Sequence, residues 1–175
     1  MVKQLPSLEY LNECFSLGGK TGLIWKQRPL SHFKSQRDYN IWNTKFSKKE
    51  AGTLHRYWLV GINNCKYTSH RIIYYLFYGV QPSSIIDHRD ENKLNNNPSN
   101  LRLANESQNG INSSLIKNKK NQLKGISYRK KYGNWSAQIK INYKKIHLGV
   151  FLTMEEAHEA YLAAKQKHYG DFLNS

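Results

Sequence analysis

Residues 84–112 decide the fold, and their sequence is SIIDHRDENKLNNNPSNLRLANESQNGIN. The β-branched pair Ile85-Ile86 leads into Asp87-His88 and favours a strand. An Asn-rich loop comes next, which is typical of turns because Asn side chains hydrogen-bond nearby backbone groups. A second apolar segment, Leu101–Ala104, precedes residues that can begin a helix. The stretch therefore predicts a β-loop-β-α unit.

Three side chains of this unit have the chemistry needed to hydrolyse a phosphodiester. Asp87 offers a carboxylate and Asn109, 22 positions further on, an amide carbonyl, both hard oxygen ligands of the kind that Mg²⁺ accepts. His88 can accept a proton near neutral pH. In a regular strand Asp87 and His88 would point to opposite faces, so we expect this pair at a strand end. The sequence does not distinguish which ring nitrogen of His88 acts.

This pattern resembles the HNH nucleases, also called ββα-metal or His-Me finger nucleases, and specifically their phage-type branch with Asp-His followed by two separated Asn residues. The resemblance covers residues 5–113 and is strongest over 69–112. It implies a homing-type DNA endonuclease that uses one divalent cation, Mg²⁺ or Mn²⁺. In that family's arrangement Asp87 and Asn109 would hold the metal and His88 would be the general base. Asn100 would brace the loop through backbone hydrogen bonds.

The region before the motif predicts a short helix followed by β-structure. We expect the helix around Ser7–Phe15 and a turn and strand within Thr21–Arg28. Tyr57–Ile62 and Lys66–Thr68 flank Asn63-Asn64, a pair that favours a tight hairpin turn.

A further helix is predicted directly upstream of the motif. His70–Tyr78 has apolar residues at helical spacing, with Ser69 ahead of it and Gly79 at its end. Basic residues at the helix start and within the motif are candidates for phosphate contacts, and the sequence does not rank them: His70, Arg71, Arg89 and Arg102. Packing of His70 against the core is the alternative for that residue.

The charge of the chain indicates a polyanionic partner. Its 175 residues contain 27 Lys+Arg and 12 Asp+Glu, a net charge of +15, and such an excess is most simply explained by nucleic acid. Residues 1–112 carry +7 and residues 113–175 carry +8. Ten basic and no acidic residues lie between Lys117 and Lys145. The polar composition of 113–123 predicts a basic linker.

Residues beyond the linker alternate between apolar and polar side chains. Trp135–Ile141 and Lys145–Val150 predict two half-buried strands whose apolar residues share one face, and Gly125–Arg129 predicts a third strand. A capping box at Thr153–Glu156 predicts the start of a helix, with Gly170 beyond its end. The helix should cover the apolar face and leave a basic sheet face exposed.

This segment resembles the AP2 DNA-binding domain over residues 124–174, through Lys124-Gly125-Ile126, Trp135–Ile139 and His147–Phe151. The resemblance implies that an exposed sheet enters the major groove of double-stranded DNA. Several arginines of the family are Lys, Gln or His here, so no sequence preference can be assigned. The positions that correspond to the family's contact residues are Arg129, Lys131, Tyr132, Gln138, Lys140, Lys145 and His147.

The predicted fold class is α+β. A β-rich N-terminal region leads into the ββα-metal core at 84–112, within a nuclease domain of residues 1–112. The linker 113–123 and an AP2-like domain at 124–175 come after it, the latter a three-stranded antiparallel sheet packed on one helix.

Other classes of protein are disfavoured by the sequence. No apolar run approaches the roughly 20 residues of a membrane helix, and the N-terminus lacks a secretory signal. We expect a cytoplasmic protein, in the host cell if phage-encoded, without a small-molecule cofactor. Cys14 and Cys65 have no C-x-x-C spacing, so no structural zinc is expected.

Two alternatives to the homing endonuclease remain open. One is a non-catalytic DNA-binding protein, and the other is a structure-selective or nonspecific nuclease. The target site, nicking or double-strand cleavage, and an intron origin are not determined by the sequence. Either a monomer or a weak dimer agrees with one site per chain.

Overall fold

The computed structural model describes residues 4–112 and 123–174 of the chain. The predicted linker therefore lies outside the described residues, apart from Leu123. The chain divides into two compact units, Met1–Leu103 and Ala104–Ser175. In the described ranges, no helix has both the length and the apolar character needed to cross a membrane.

The first unit combines short helices with three small sheets. Strands β1 and β2 pair, β3-β4-β5 form a three-stranded sheet, and β6 pairs with β7. The elements in chain order are α1 (Leu8–Cys14), β1 (Phe15–Leu17), β2 (Leu23–Trp25), α2 (Gln36–Phe46), β3 (Thr53–Leu54), β4 (Trp58–Ile62), β5 (Cys65–Thr68), α3 (Ser69–Tyr78), β6 (Ile85–His88) and β7 (Leu101–Ala104).

Several of these elements confirm the sequence predictions. The hydroxyl of Ser7 caps α1 by accepting from the Tyr10 N–H at 3.3 Å. Asn63 and Asn64 have φ values of 48° and 60°, the left-handed conformation that a two-residue hairpin turn requires. Gly79 ends α3 with φ 70°.

The start of α3 differs slightly from the prediction. The residue ahead of the helix is Thr68, and Ser69 is already its first residue. Ser69 is fully buried, so tertiary packing rather than capping decides its position.

The 11-residue helix α2 lies where only β-structure was expected, so the predicted N-terminal region was too rich in strands. The Ser35 hydroxyl caps the helix by accepting from the Asp38 N–H at 3.1 Å. Trp42 and Phe46 pack against the hydrophobic core. The spacing of Tyr39, Trp42 and Phe46 is helical and was the signal for this element.

The core of the first unit lies between α1, α3 and the strands β2, β4 and β7. Leu11, Leu23, Ile72 and Ile73 are completely buried there, and Leu101 is 1% exposed. Because Ile86 belongs to the same cluster, the strand that carries Asp87 and His88 is anchored directly to this core.

The second unit contains the predicted three strands and helix. Its elements are α4 (Glu106–Asn112), β8 (Ile126–Arg129), β9 (Asn134–Ile141), β10 (Lys144–Phe151) and α5 (Met154–Asn174). The sheet is antiparallel in the order β10-β9-β8. The buried cluster of this unit is formed by Ile111, Ile126, Ala137, Ile139, Ala157, Tyr161 and Tyr169.

A β-bulge in β10 changes which face of the sheet its last residues occupy. His147 pairs with Gln138, but Gly149 pairs with Ala137, so the register shifts between them. Val150 then pairs with Ser136 and is 43% exposed. The alternation predicted through Val150 is therefore wrong, because the extra residue of the bulge reverses the face of the residues after it.

The helix α5 begins as predicted but continues further. The hydroxyl of Thr153 accepts from the Glu156 N–H at 3.2 Å, and the Glu156 carboxylate accepts from the Thr153 N–H at 3.4 Å. Gly170 lies inside the helix, which extends to Asn174, so its predicted role beyond the helix end is wrong. Leu173 packs against the buried cluster, which explains why the last turn forms.

The packing of α4 differs from the sequence-based domain assignment. The sequence placed this helix in the nuclease domain, whereas the division into compact units places it after Leu103, in the second unit. Ile111 accordingly belongs to the buried cluster that includes Ile126 and Tyr161. The role of α4 as the helix of a ββα motif stays a prediction.

Candidate active site

Asp87 and His88 are the last two residues of β6. This position confirms the expectation that the pair lies at a strand end. Their exposed fractions are only 6% and 5%. The Arg89 N–H donates to the Asn100 carbonyl at 2.9 Å, so the first and last residues of the loop between β6 and β7 lie next to each other.

The loop between β6 and β7 is held by its own Asn and Asp side chains. Each of four side chains accepts from the backbone N–H two positions later: Asp90 from Asn92, Asn92 from Leu94, Asn95 from Asn97, and Asn97 from Ser99. Such turns are the local structure that short amide and carboxylate side chains favour. The Asn-rich composition therefore specifies the shape of the loop.

Asn100 joins the two ends of this loop. Its Oδ1 accepts from the Asp90 N–H at 3.1 Å, and its Nδ2 donates to the Asp90 carboxylate at 2.9 Å and to the Asn95 carbonyl at 2.8 Å. Hydrogen bonds from Asn95 and Asn100 lower the pKa of Asp90, although its partial burial alone would raise it.

A buried ion pair fixes the carboxylate of Asp87. Arg102, on β7, donates from Nε to Asp87 Oδ2 at 3.1 Å, and both side chains are 7% exposed. The sequence predicted no partner for Asp87 and placed Arg102 among the phosphate candidates. The structure instead gives Arg102 a role in orienting Asp87.

His88 is enclosed by rings and by one amide. The ring of Tyr57 is stacked with the His88 ring, with 6.4 Å between the ring centres. The His70 ring contacts the His88 ring edge-on, with 5.2 Å between the centres. His88 Nε2 lies 3.2 Å from Asn96 Oδ1. Burial lowers the pKa of His88, against the opposing effects of the Asn96 hydrogen bond and of Asp90 and Asp87.

His70 packs into the core side of the site. Its Nε2 lies 3.2 Å from the Thr68 hydroxyl, and the residue is 8% exposed. Burial, with the added effects of His88 and Arg71, lowers the pKa of His70 to about 3. The ring is therefore neutral near pH 7 and offers no charge to a phosphate group.

The structure ranks the remaining phosphate candidates. Arg71 donates to the backbone carbonyls of Ser84 and Pro82 at 2.8 and 2.6 Å, so its guanidinium is used to hold the connection into β6. The Nε of Arg89 is buried and, within residues 4–112 and 123–174, has no hydrogen-bond partner. Arg89 is thus a candidate whose Nε donor is not used within the described residues.

Asn109 and the predicted DNA contacts belong to the second unit. Asn109 is exposed on α4. Lys140 pairs with Lys145 and Gln138 with His147 across β9 and β10, and all four are exposed. Since the buried Ala137 and Ile139 alternate with them, these four side chains share the open face.

The other three predicted contacts lie at one end of the same sheet. Arg129 ends β8, opposite Asn134, and Lys131 and Tyr132 lie in the turn into β9. The guanidinium of Arg129 lies 4.5 Å from the centre of the Tyr132 ring, and the Lys131 ammonium lies 5.4 Å from it. Two basic groups, those of Arg129 and Lys131, therefore lie around one exposed aromatic ring.

Asn96 is the functional candidate that sequence reasoning missed. It contacts His88, but it is one of several Asn residues in the loop and nothing in its spacing distinguishes it.

The part of the chain that the structure describes contains no cluster of three or more His, Cys, Asp or Glu side chains that could hold a metal ion.

The segment that carries this site matches a known family. Residues 67–111 match the family model for HNH endonucleases, over about a quarter of the chain. A curated relative, an uncharacterized HNH endonuclease of Acanthamoeba polyphaga mimivirus, is 40% identical over 105 residues, which make up 59% of this chain and 54% of that protein. The chain thus spans about half the length of the curated relative it matches. No solved structure matches it.

These similarities coincide with the part of the chain in which the sequence predicted an HNH motif. Asp87, His88 and Asn100 all lie within the matched residues, as does Asn109. The AP2 resemblance of the second unit stays a prediction.

The burial of His70 predicts a pH dependence of stability. In the unfolded chain His70 gains its proton below about pH 6.5, but in the folded chain only near pH 3, so its contribution is present above pH 6.5 and is lost as the pH falls toward 3. Between pH 7 and 5 the free energy of unfolding should fall about 1–2 kcal/mol more in the wild type than in His70→Phe. Urea titrations at both pH values measure this difference.

The exposed His147 provides the control, since His147→Gln should keep the wild-type pH dependence. A His70→Phe protein whose stability falls as steeply as that of the wild type would contradict the assignment of this dependence to His70.

Proposed function

We propose that this protein is a metal-dependent DNA endonuclease that hydrolyses a phosphodiester bond, with His88 as the general base. The observation that carries the proposal is the Asp87-His88 pair, buried at the end of a core-anchored strand within the segment similar to HNH endonucleases. The Asn-braced loop supports it, because its own side chains hold the strand ends together.

The two ligands that the HNH resemblance implies have the chemistry that a hard divalent cation prefers. Asp87 would supply a carboxylate oxygen and Asn109 an amide oxygen, a set suited to Mg²⁺, which keeps several waters, and also to Mn²⁺. When bound, the cation would supply Lewis-acid stabilisation of charge on the phosphate. The Arg102 guanidinium at 3.1 Å holds one oxygen of the Asp87 carboxylate in a fixed direction.

The reaction assigned to His88 is proton removal from water. The water proton moves to the imidazole, the water oxygen forms a bond to phosphorus, and the bond from phosphorus to the 3′ oxygen breaks. The 3′ oxygen leaves with a proton from the surroundings, so the products are a 5′-phosphate and a 3′-hydroxyl. One such site cuts one strand, and a double-strand break requires two copies of the chain or two successive visits.

Arg89 is the residue we assign to the phosphate of the substrate. It comes directly after His88 and has a buried Nε without a hydrogen-bond partner in the described part of the chain. A guanidinium with an unused donor pairs well with a phosphate oxygen, because both groups are charged and the geometry can be bidentate.

The open sheet face of the second unit is proposed to bind duplex DNA in the manner of an AP2 domain. Gln138, Lys140, Lys145 and His147 are exposed together on it. Positive side chains on a rigid sheet can neutralise phosphates while neighbouring polar groups contact base edges. A homing-type HNH nuclease would use such a surface to bind its target site in DNA.

Replacing His88 with alanine tests the catalytic proposal. Full-length protein with Mg²⁺ should nick supercoiled plasmid, and His88→Ala should reduce the rate at least about 100-fold, since a positioned general base contributes 10²–10⁴-fold. The exposed His168 gives the control variant His168→Ala, which should cleave at the wild-type rate. Agarose gels of plasmid relaxation measure all three.

Two results would contradict this proposal. Equal rates for the wild type and His88→Ala would remove the assigned base. Binding without cleavage under all metal conditions would favour a non-catalytic DNA-binding protein. Preferential cleavage of branched over linear DNA would instead identify a structure-selective nuclease.

Substitutions on the sheet test the second unit. In a His88→Ala background, which leaves the DNA intact, Lys140→Ala with Lys145→Ala should weaken duplex binding and make the slope of log K against log salt about two units shallower, about one for each lost phosphate contact. Lys165→Ala with Lys167→Ala on α5 removes the same charge and should leave the slope close to wild type. An unchanged slope in the sheet variant would exclude this face as the DNA contact.

A further inference from the structure

Asn96 connects the candidate general base to the N-terminal part of the first unit. Its Oδ1 lies 3.2 Å from His88 Nε2, and its Nδ2 donates to the Thr21 carbonyl at 3.1 Å. Asn96 is 5% exposed and Thr21 is 2% exposed. The amide is thus a buried link between Thr21, which lies 75 residues before Asn96, and His88, which lies eight residues before it.

The orientation of this amide is set by its partner. The Thr21 carbonyl can only accept a hydrogen bond, so the Asn96 atom that faces it must be the nitrogen. The opposite orientation would bring two acceptors together in a buried place, which costs the desolvation of both. Oδ1 therefore faces His88, and it too can only accept.

The protonation of the His88 ring is set in turn by this amide. An acceptor 3.2 Å from Nε2 requires that this nitrogen carry the hydrogen, and in a neutral imidazole the lone pair is then on Nδ1. The sequence left this choice of nitrogen open. The contact with Asn96 favours Nδ1 as the nitrogen that can act as a base.

The surroundings make the Asn96 position rigid. The Thr21 hydroxyl donates to the Leu23 carbonyl at 2.9 Å and accepts from the Leu23 N–H at 3.3 Å, which fixes the turn that offers the carbonyl. Gly22 in that turn has φ +82°, and a Cβ there would lie 3.1 Å from the Cβ of Asn96 and 2.5 Å from the Cδ1 of Ile73. Only glycine allows the turn to approach Asn96 so closely.

We propose that Asn96 is a positioning residue that holds His88 in the tautomer with hydrogen on Nε2 and directs Nδ1 to the water it deprotonates. This inference rests on the proposed function, because it assigns the proton-accepting atom of the same base. An amide anchored to a backbone carbonyl restricts ring rotation as well as tautomer, in the way that groups behind catalytic and metal-bound histidines do.

The test combines a spectroscopic and a kinetic measurement on the full chain. Long-range ¹H–¹⁵N correlation spectra report which nitrogen of a histidine carries hydrogen, and the His88 signals are those missing in His88→Gln. The wild type should show hydrogen on Nε2. Asn96→Leu should lose the fixed tautomer and lower kcat for plasmid nicking about 10–100-fold, with little change in KM.

Two further variants separate positioning from general stability. Asn96→Asp keeps an acceptor for Nε2 but loses the donor to the Thr21 carbonyl, so it should retain the tautomer and recover only part of the lost kcat. Asn43 makes a similar double contact, accepting from the Arg28 N–H at 2.9 Å and donating to the Arg28 carbonyl at 3.1 Å. Asn43→Leu therefore removes comparable hydrogen bonds, and it should change neither the tautomer nor kcat.

The outcomes distinguish this inference from the proposed function. Hydrogen on Nδ1 in the wild-type spectrum would overturn the inference, and so would a wild-type kcat in Asn96→Leu when His88→Ala is inactive. A wild type that cleaves no DNA would overturn the proposed function, while its spectrum would still decide the tautomer. Should Asn96→Leu not fold, the wild type and Asn96→Asp give the same decision.

Discussion

A buried ion pair between Asp87 and Arg102 is the constraint on which the candidate site depends. The two side chains come from paired strands, β6 and β7, and each is 7% exposed. Removing one partner of such a pair leaves a buried charge uncompensated and costs about 3–5 kcal/mol. The pair therefore holds the end of β6 against β7. Because this contact does not involve the loop between the two strands, the loop itself can be polar.

The loop and the N-terminal turn then complete the surroundings of His88. Asn100 closes the loop on Asp90, and Asn96 extends from the loop to the carbonyl of Thr21. Hydrogen bonding thus connects the catalytic candidate with a turn far away in the sequence. This arrangement gives the region before the motif a part in the site, although it carries no residue of the motif itself.

The sequence predicted those features that depend on local chemistry. The strand end at Asp87-His88, the Asn63-Asn64 hairpin and the capping box at Thr153–Glu156 are determined by the residues themselves. Helix α2 was missed although its spacing was visible, and the facing of Val150 was wrong because a bulge leaves no sequence signal of its own. The Asp87–Arg102 and His88–Asn96 contacts were not predictable, since they depend on which strands pair and on where the Thr21 turn packs.

The most direct test of the central claim is cleavage of DNA in H₂¹⁸O with Mg²⁺, followed by mass spectrometry of both product ends. If water is activated by His88 and attacks phosphorus, one ¹⁸O should appear on the 5′-phosphate formed at each cleavage and none on the 3′-hydroxyl, and His88→Ala should form this product at least about 100-fold more slowly. Label at the 3′ end, or labelled product formed equally well without the His88 imidazole, would contradict the account.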